Sequence, residues 1–422
     1  MNMSLNLKEI LREEMQKKTV LINPSVLNES YLPEYLLFRD EEITQITKHL
    51  GRFLSGLHPG HLLIHGPPGT GKTHVIKLVA KNYNEFTREN GINSKMIYIN
   101  CKDKTYYQTV VALLHELDVN FPNRGFGVAE AVDTLTKHLK MENERYIFVF
   151  DEIDKLKKTY KDKEDPMNAL IYRMSRLDEL LDKDAPLLIM ISNMSNIVEK
   201  IEHATMAKFT PKPIYFREYN TDELYQILLD RADHALDPSS FSKESIRYLA
   251  ELIQKNERDL RWGFRVLVEA ALMAKEKITK ELIEEAVKIV DNDILIQVVK
   301  SLSNHQLVVL WSISFLEASS ILPVTGELYQ VYKLICGELG WRPRSMRHVM
   351  HYITPKMENI GLITSREKGM GRGRGKTLVF HIEENPHKIL KIVEEILSER
   401  THGKFKPNEI PELLQISFQR RR

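Results

Sequence analysis

Gly66, Pro67, Pro68, Gly69, Thr70, Gly71, Lys72 and Thr73 follow one another in this chain, a glycine-rich loop ending on a lysine and a hydroxyl residue. Glycines at those spacings let the backbone curl until its N–H groups face inward and cradle phosphate oxygens at a helix N-terminus. Lys72 then reaches the β- and γ-phosphates of a nucleoside triphosphate, and the Thr73 hydroxyl suits Mg²⁺. The setting agrees: the apolar run Leu62, Leu63, Ile64 precedes the loop, and the helical spacing of Val75, Ile76, Leu78 and Val79 follows it. Further on, Tyr146, Ile147, Phe148, Val149 and Phe150 run straight into Asp151 and Glu152. Asp151 is expected to hold Mg²⁺ through its water shell, and Glu152 to accept a proton from an attacking water. A third apolar run ends at Ser192 and Asn193, where the Asn193 amide could bond the γ-phosphate or that water. ATP/ADP with Mg²⁺ is the ligand these residues call for.

Such groups need a scaffold that delivers them to one edge. Short runs rich in β-branched residues at 61–65, 95–101, 145–151, 186–192 and 213–216 alternate with helical segments. That alternation predicts a parallel sheet with helices on both faces, an α/β fold. From 220 to 300 the pattern is helical throughout, with Thr221 and Ser242 placed as N-caps. Arg258, Asp259, Leu260, Arg261 and Trp262 then lead into an apolar helix carrying Phe264, Val266, Leu267 and Ala271.

The C-terminal third differs in charge. From residue 300 onward there are 19 Lys and Arg against 12 Asp and Glu, leaving 41 against 46 in the rest, although the whole chain carries only +2. An excess of this kind suits a polyanion partner or an unevenly charged surface. Ser303 and Asn304 precede an apolar helix (Leu307, Val308, Leu310, Trp311, Ile313), and a second helix is predicted over 325–338. A third begins near Pro343, with an apolar stripe of Met346, Val349, Ile353, Met357 and Ile360. Arg344, Arg347 and His351 lie opposite that stripe, with Lys356 at its margin, and Pro355 should kink or split the helix. Three helices with a basic third make a helix-turn-helix pattern for the major groove. Strands at 361–364 and 376–382 then flank Arg366, Lys368, Arg372 and Arg374 among glycines, with Lys376 on the return. This hairpin reads as a wing, whose arginines suit a narrow minor groove. The expected DNA contacts are therefore Arg344, Arg347, His351, Arg366, Lys368, Arg372, Arg374 and Lys376. The tail beyond 403, ending in three arginines, shows no periodicity.

Composition excludes several classes. With 42% hydrophobic and 28% charged residues in 422, the chain has the make-up of a globular protein of two or three domains. No apolar run approaches the roughly 20 residues a membrane span needs, and residues 1–18 lack an apolar signal core. Two distant cysteines, Cys101 and Cys336, suggest neither a disulfide framework nor a metal site, and a reducing cytoplasm fits them.

The combination resembles an AAA+ ATPase with a C-terminal winged helix, and more closely the archaeal origin-recognition initiators, relatives of the eukaryotic origin recognition complex and its helicase-loading partner. The resemblance covers about residues 20–385 and rests on the phosphate loop, the acidic pair and three further stretches. The segment at 32–39, with Pro33 and Arg39, resembles the one that lies over adenine. Residues 98–101, 106, 107 and 121–125 resemble an inserted helical motif that contacts DNA in the relatives. Arg261 stands where the family's lid arginine reaches the γ-phosphate, although Arg258 replaces the usual glycine. The resemblance also implies a nucleotide contact from Tyr219. It divides the chain into an ATPase core (1–219), a helical lid (220–300), a winged helix (301–400) and a basic tail (401–422).

One departure stands out. In the family an arginine before the last core strand reaches a neighbouring subunit's γ-phosphate; here its position is Ala204, with Lys208 the nearest cation. An arginine finger contributes roughly 10³–10⁵ in turnover. The resemblance, so modified, implies a slow ATPase used as a switch rather than a motor. Implied partners are double-stranded origin DNA, paralogous initiator subunits and the replicative helicase, in a nucleoid-associated cytoplasmic setting with no membrane. An ATP-regulated winged-helix transcription regulator, or a plasmid or mobile-element replication protein, uses the same two parts and stays open at this point, as does a clamp-loader-type motor with brisk turnover.

Overall fold

The computed structural model describes residues 19–159, 164–181, 185–369 and 376–407. Two compact units are present, Met1–Val287 and Lys288–Arg422. Among the described residues no helix is long and apolar enough to cross a membrane.

The first unit is built on a five-stranded parallel sheet in the order β2-β3-β4-β1-β5, the strands being β1 (Leu62–His65), β2 (Ser94–Asn100), β3 (Arg145–Asp151), β4 (Leu187–Ser192) and β5 (Lys212–Tyr215). These match the expected runs with no end moved by more than one residue. Strand period two divides the sheet's side chains between two cores. Leu62, Ile64, Ile147, Val149, Ile189 and Ile191 face helices α1 (Asp40–Leu54) and α2 (Lys72–Glu89), where Ile46, Phe53, Val75 and Ile76 meet them. Phe148, Phe150, Leu188 and Met190 face the other way, onto α3 (Tyr106–Glu116), α4 (Val128–Met141) and α5 (Pro166–Met174). A sheet covered on both faces has no solvated side, which is why β3 reads as an unbroken apolar run. Its strands share one direction, so every carboxyl end opens on the same edge, and ligands of such sheets bind there.

After a short helix, α6 (His203–Phe209), the lid comprises α7 (Thr221–Ala235), α8 (Lys243–Lys255) and α9 (Leu260–Met273). The cap of α7 is Asn220 rather than Thr221. Its side chain accepts from Glu223 N at 2.9 Å, and its own N–H donates to Glu223 Oε2 at 3.0 Å, a reciprocal box that Thr221 could not close from the first helical position. Ser242 caps α8 as expected.

The second unit packs α11 (Asn304–Ala318), following α10 (Lys280–Ser301), against α12 (Thr325–Glu338) and α13 (Pro386–Arg400), with an antiparallel hairpin of β6 (Ile363–Gly369) and β7 (Lys376–Ile382). Trp311 is buried at its centre, its indole N–H donating to Glu394 Oε1 at 3.0 Å. The third helix of the motif is interrupted. One α-helical turn (Met346–His348) passes into a π-helical turn (Val349–Ile353) and then back to α (Thr354–Asn359). The widened turn lies just before Pro355, where an α-helix would otherwise bring the ring against a carbonyl. The expected apolar stripe holds across it and fails only at the element's first residue and its C-cap. Val349, Ile353 and Met357 are buried as expected, but Met346 is 41% and Ile360 48% exposed.

Candidate nucleotide site and nucleic-acid interface

The phosphate loop joins the carboxyl end of β1 to the start of α2 at Lys72. Two of its glycines admit no other residue. Gly66 has φ 143°, and a Cβ there would lie 2.2 Å from the Phe216 carbonyl oxygen. Gly69 has φ 75°, and its Cβ would lie 2.4 Å from the Asp259 Cβ. The loop thus lies against β5's exit at one point and against the lid at another.

Lys72 Nζ donates to the carbonyl oxygens of Gly66 (2.8 Å) and Pro67 (2.6 Å) and sits 3.3 Å from Thr70 Oγ1. Burial pulls its pKa down to about 8, against the raising effect of Asp151 and Asp154. Anionic phosphates beside this ammonium would raise that value again, so binding takes up a proton once the pH exceeds about 8. ATP affinity should therefore be level below pH 8 and fall by up to about tenfold per pH unit above it. Equilibrium titrations across that range check this; a flat profile removes Lys72 from the phosphates.

The Thr73 hydroxyl and the Tyr98 hydroxyl both donate to Asp151 Oδ2 at 2.7 Å, and the Glu152 N–H donates to Asp151 Oδ1 at 2.8 Å. Burial raises the Asp151 carboxyl above its ordinary range, and these hydrogen bonds oppose the rise. A hydroxyl and a carboxylate converging in this way are hard oxygen donors of the kind Mg²⁺ takes. Glu152 turns away in a left-handed conformation, φ 55°. Its two oxygens accept from Asn193 Nδ2 (3.3 Å) and Asn100 Nδ2 (3.2 Å).

One cavity of about 280 Å³ collects most of the expected residues: Pro33, Pro68, Gly69, Thr70, Gly71, Lys72, Thr73, Glu152, Asn193, Tyr219 and Arg261. Tyr31, Leu36, Leu37, Ile227 and Phe264 also line it, so polar phosphate-seeking groups share the space with apolar and aromatic side chains that suit a base. Asp151 is buried, and Gly66 and Pro67 shape the loop without lining this cavity. Arg261 donates from Nε (2.8 Å) and Nη2 (2.5 Å) to Asp259 Oδ2, while Asp259 Oδ1 caps α9 by accepting from Trp262 N at 3.1 Å.

Arg39 departs from expectation. It does not line the cavity; it is fully buried, donating to Thr70 O (3.0 Å), Tyr219 Oη (3.0 Å), Glu42 (3.0 Å) and Arg217 O (2.8 Å), with its guanidinium 3.9 Å from the Tyr219 ring centre. It braces the phosphate loop from behind rather than touching a base. Lys208, on the same short helix α6 as Ala204, is ion-paired: its Nζ lies 2.7 Å from Asp178 and 3.7 Å from Glu179. Tyr98 and Asn100 belong to β2 and to this site, not to the inserted motif. Register explains it, because Asn100 pairs with Asp151 across the sheet. No local pattern marks Asn100 in the sequence; only strand pairing brings it to Glu152.

In the second unit Arg344, Arg347, His351, Arg366 and Lys368 are exposed. Lys376 pairs across the hairpin with Glu367 at 2.6 Å. Arg372 and Arg374 lie outside the described residues. His348 and Tyr352 add an aromatic pair that the sequence pattern does not single out; their rings stack at 5.1 Å beside Arg347 and His351, with Tyr352 61% exposed.

Comparison with known proteins divides the chain in the same sequence of parts. Residues 62–215 match the model of the ATPase family associated with various cellular activities (AAA). Residues 225–292 match the Cdc6 AAA+ ATPase-type lid domain, and 297–392 the CDC6 C-terminal winged helix domain. The chain is 30% identical over 358 residues to ORC1-type DNA replication protein 1 of Aeropyrum pernix, covering 83% of this chain and 89% of the relative. It is 28% identical over 386 residues to ORC1-type DNA replication protein 1 of Archaeoglobus fulgidus, covering 90% and 92%. Among solved structures, the Aeropyrum pernix ORC1 protein in complex with DNA is similar with TM-score 0.80 and 28% identity, covering 90% of this chain and 97% of that one.

Proposed function

This chain belongs to the ORC1-type DNA replication protein family, and from that premise we propose that it is an ATP-dependent, DNA-binding initiator of replication. The family membership favours this reading over a transcription regulator, since the relatives are replication proteins. The observation that carries the nucleotide half is the convergence of three strand ends on one cavity. β1 brings Lys72 and Thr73, β3 brings Glu152, with Asp151 buried behind it on the Thr73 hydroxyl, and β4 brings Asn193, with Arg261 of the lid on the same cavity.

In the proposed reaction the phosphate loop and Lys72 hold ATP, and Thr73 and Asp151 would hold Mg²⁺, which would supply neutralisation of phosphate charge. Glu152, oriented by Asn100 and Asn193, accepts a proton from water as its oxygen bonds to the γ-phosphorus and the bond to the ADP oxygen breaks. Arg261 can exchange Asp259 for the γ-phosphate, which makes lid position sensitive to nucleotide state. With Ala204 at the finger's position and Lys208 paired with Asp178, this chain presents no arginine there to a neighbouring subunit, which favours slow turnover and a switch role for ATP. The proposed partners are origin DNA, paralogous subunits and the replicative helicase.

The DNA half rests on the basic face of the interrupted helix and on the hairpin. Arg372→Ala with Arg374→Ala should weaken binding to double-stranded DNA and flatten the log–log salt slope by about 0.9 for each phosphate no longer neutralised. Fluorescence anisotropy at several salt concentrations measures both; an unchanged slope would take the wing off the DNA. Mapping the protein along its own genome tests the whole proposal. Occupancy concentrated at origins supports it, and occupancy at promoters alone overturns it.

A further inference from the structure

Two residues beyond Glu152 stands a carboxylate that the reaction above does not use. Asp154 lies in the short turn Ile153–Lys155 with its side chain only 2% exposed. Its Oδ1 accepts two hydrogen bonds, from Ser192 Oγ at 2.9 Å and from the Asn193 N–H at 3.0 Å. Ser192 Oγ in turn accepts from the Met194 N–H at 3.0 Å, so one oxygen organises three consecutive residues at the exit of β4. The other oxygen has no hydrogen-bond partner, and the exposed Lys155 Nζ lies 3.6 Å from it. Burying a carboxylate with half its capacity unmet is costly, and such a group needs an explanation.

We propose that Asp154 is a positioning residue for hydrolysis: it sets the turn after β4 so that Asn193 holds Glu152 at the angle from which it can take the proton. The connection is short. Asp154 fixes the Asn193 backbone, the Asn193 amide reaches Glu152 Oε1 at 3.3 Å, and Asn100 holds the opposite oxygen at 3.2 Å. Parallel pairing alone would not do this, because the β3–β4 register ends at Phe150 and Met190, before either functional side chain. Past that point each exit is held only by its other neighbour, β3 by β2 as far as Asp151 and β4 by β1 as far as Ser192, and Asp154 ties the two exits directly to each other. Charge is not the instrument. Two hydrogen bonds to one oxygen are within the capacity of an amide as well as a carboxylate, so Asn at this position should serve.

This inference rests on Glu152 being the base. The test uses the full chain, with single-turnover hydrolysis of bound labelled ATP, ATP dissociation constants and thermal melts. Asp154→Ala should slow hydrolysis by about 10- to 100-fold, the cost of a misplaced catalytic group, with ATP affinity within about threefold of the parent. Asp154→Asn should restore the rate to within about threefold, and Asp154→Glu, which pushes the acceptor outward by one methylene, should not. Adding Asp154→Ala to Asn193→Ala should cost nothing further, because both act through one interaction. A parental rate in Asp154→Ala or Asp154→Glu, an additive double mutant, or an Asp154→Asn as slow as the alanine variant would each overturn the proposal. A Glu152→Gln protein that still hydrolyses normally would instead remove the reading beneath it, whatever Asp154 does.

Discussion

Lys72→Ala should abolish useful nucleotide binding. The ammonium lies among the carbonyl oxygens of Gly66 and Pro67, close to where phosphates must pass between the inward N–H groups of the loop. Two charge-assisted hydrogen bonds to phosphate, at about 1.5–3 kcal/mol each, set the expected loss at about 3–4 kcal/mol or more. That is a few-hundred-fold or greater weakening of the dissociation constant. The variant should still fold. The substitution leaves both cores of the sheet intact, and the burial that lowers the lysine's pKa also means its charged form costs the folded state. Equilibrium binding of a fluorescent ATP analogue, with a thermal melt in parallel, measures both. Normal affinity in a folded variant would disprove the phosphate-loop assignment and everything built on it.

Glu152→Gln should do the opposite: bind ATP and keep it. The carboxylate touches neither Lys72 nor Asp151's hydroxyl partners, so affinity should stay within about threefold of the parent, since every group that holds phosphate remains in place. Loss of a general base costs roughly 10²–10⁴ in rate. On an enzyme whose proposed turnover is already slow, the result should be a protein held in its ATP form for the length of an experiment. If ATP is the switch, that protein should bind origin DNA as the ATP-loaded parent does, without decay as nucleotide is consumed. Single-turnover hydrolysis and anisotropy on the same preparation test both claims. Hydrolysis at the parental rate would exclude Glu152 as the base, and DNA binding indifferent to nucleotide would exclude the switch.

The order of elements and the identity of most chemical groups were legible because each has a local cause. A glycine-rich turn between an apolar strand and an amphipathic helix, an acidic pair at a strand end, and capping residues before helical runs all act within a few neighbours. What escaped was set by interactions between distant segments. Arg39 sits in a stretch that resembles a surface lying over a base, yet it is buried behind the loop because Tyr219 and the Arg217 carbonyl, far along the chain, close around it. Asn100 carries no signal until β2 pairs with β3 and sets it level with Asp151. The apolar stripe of the third winged-helix element holds across the π-turn at Val349, Ile353 and Met357 and fails at Met346 and Ile360, where the element begins and ends.

The sequence alone determined that a nucleoside triphosphate has a seat at Gly66 to Thr73, that an acidic pair stands ready beside it, and that a basic helix and hairpin follow. These are properties of residue type and short spacing, so the chain states them directly. Only the tertiary structure decided which polar groups bond Glu152, which arginine braces and which one faces the cavity, and that Lys208 pairs with Asp178 and Glu179. Hydrogen bonds and ion pairs between residues tens or hundreds of positions apart depend on sheet order and register. Those follow from how two cores pack on one sheet, a property of the whole unit rather than of any stretch within it.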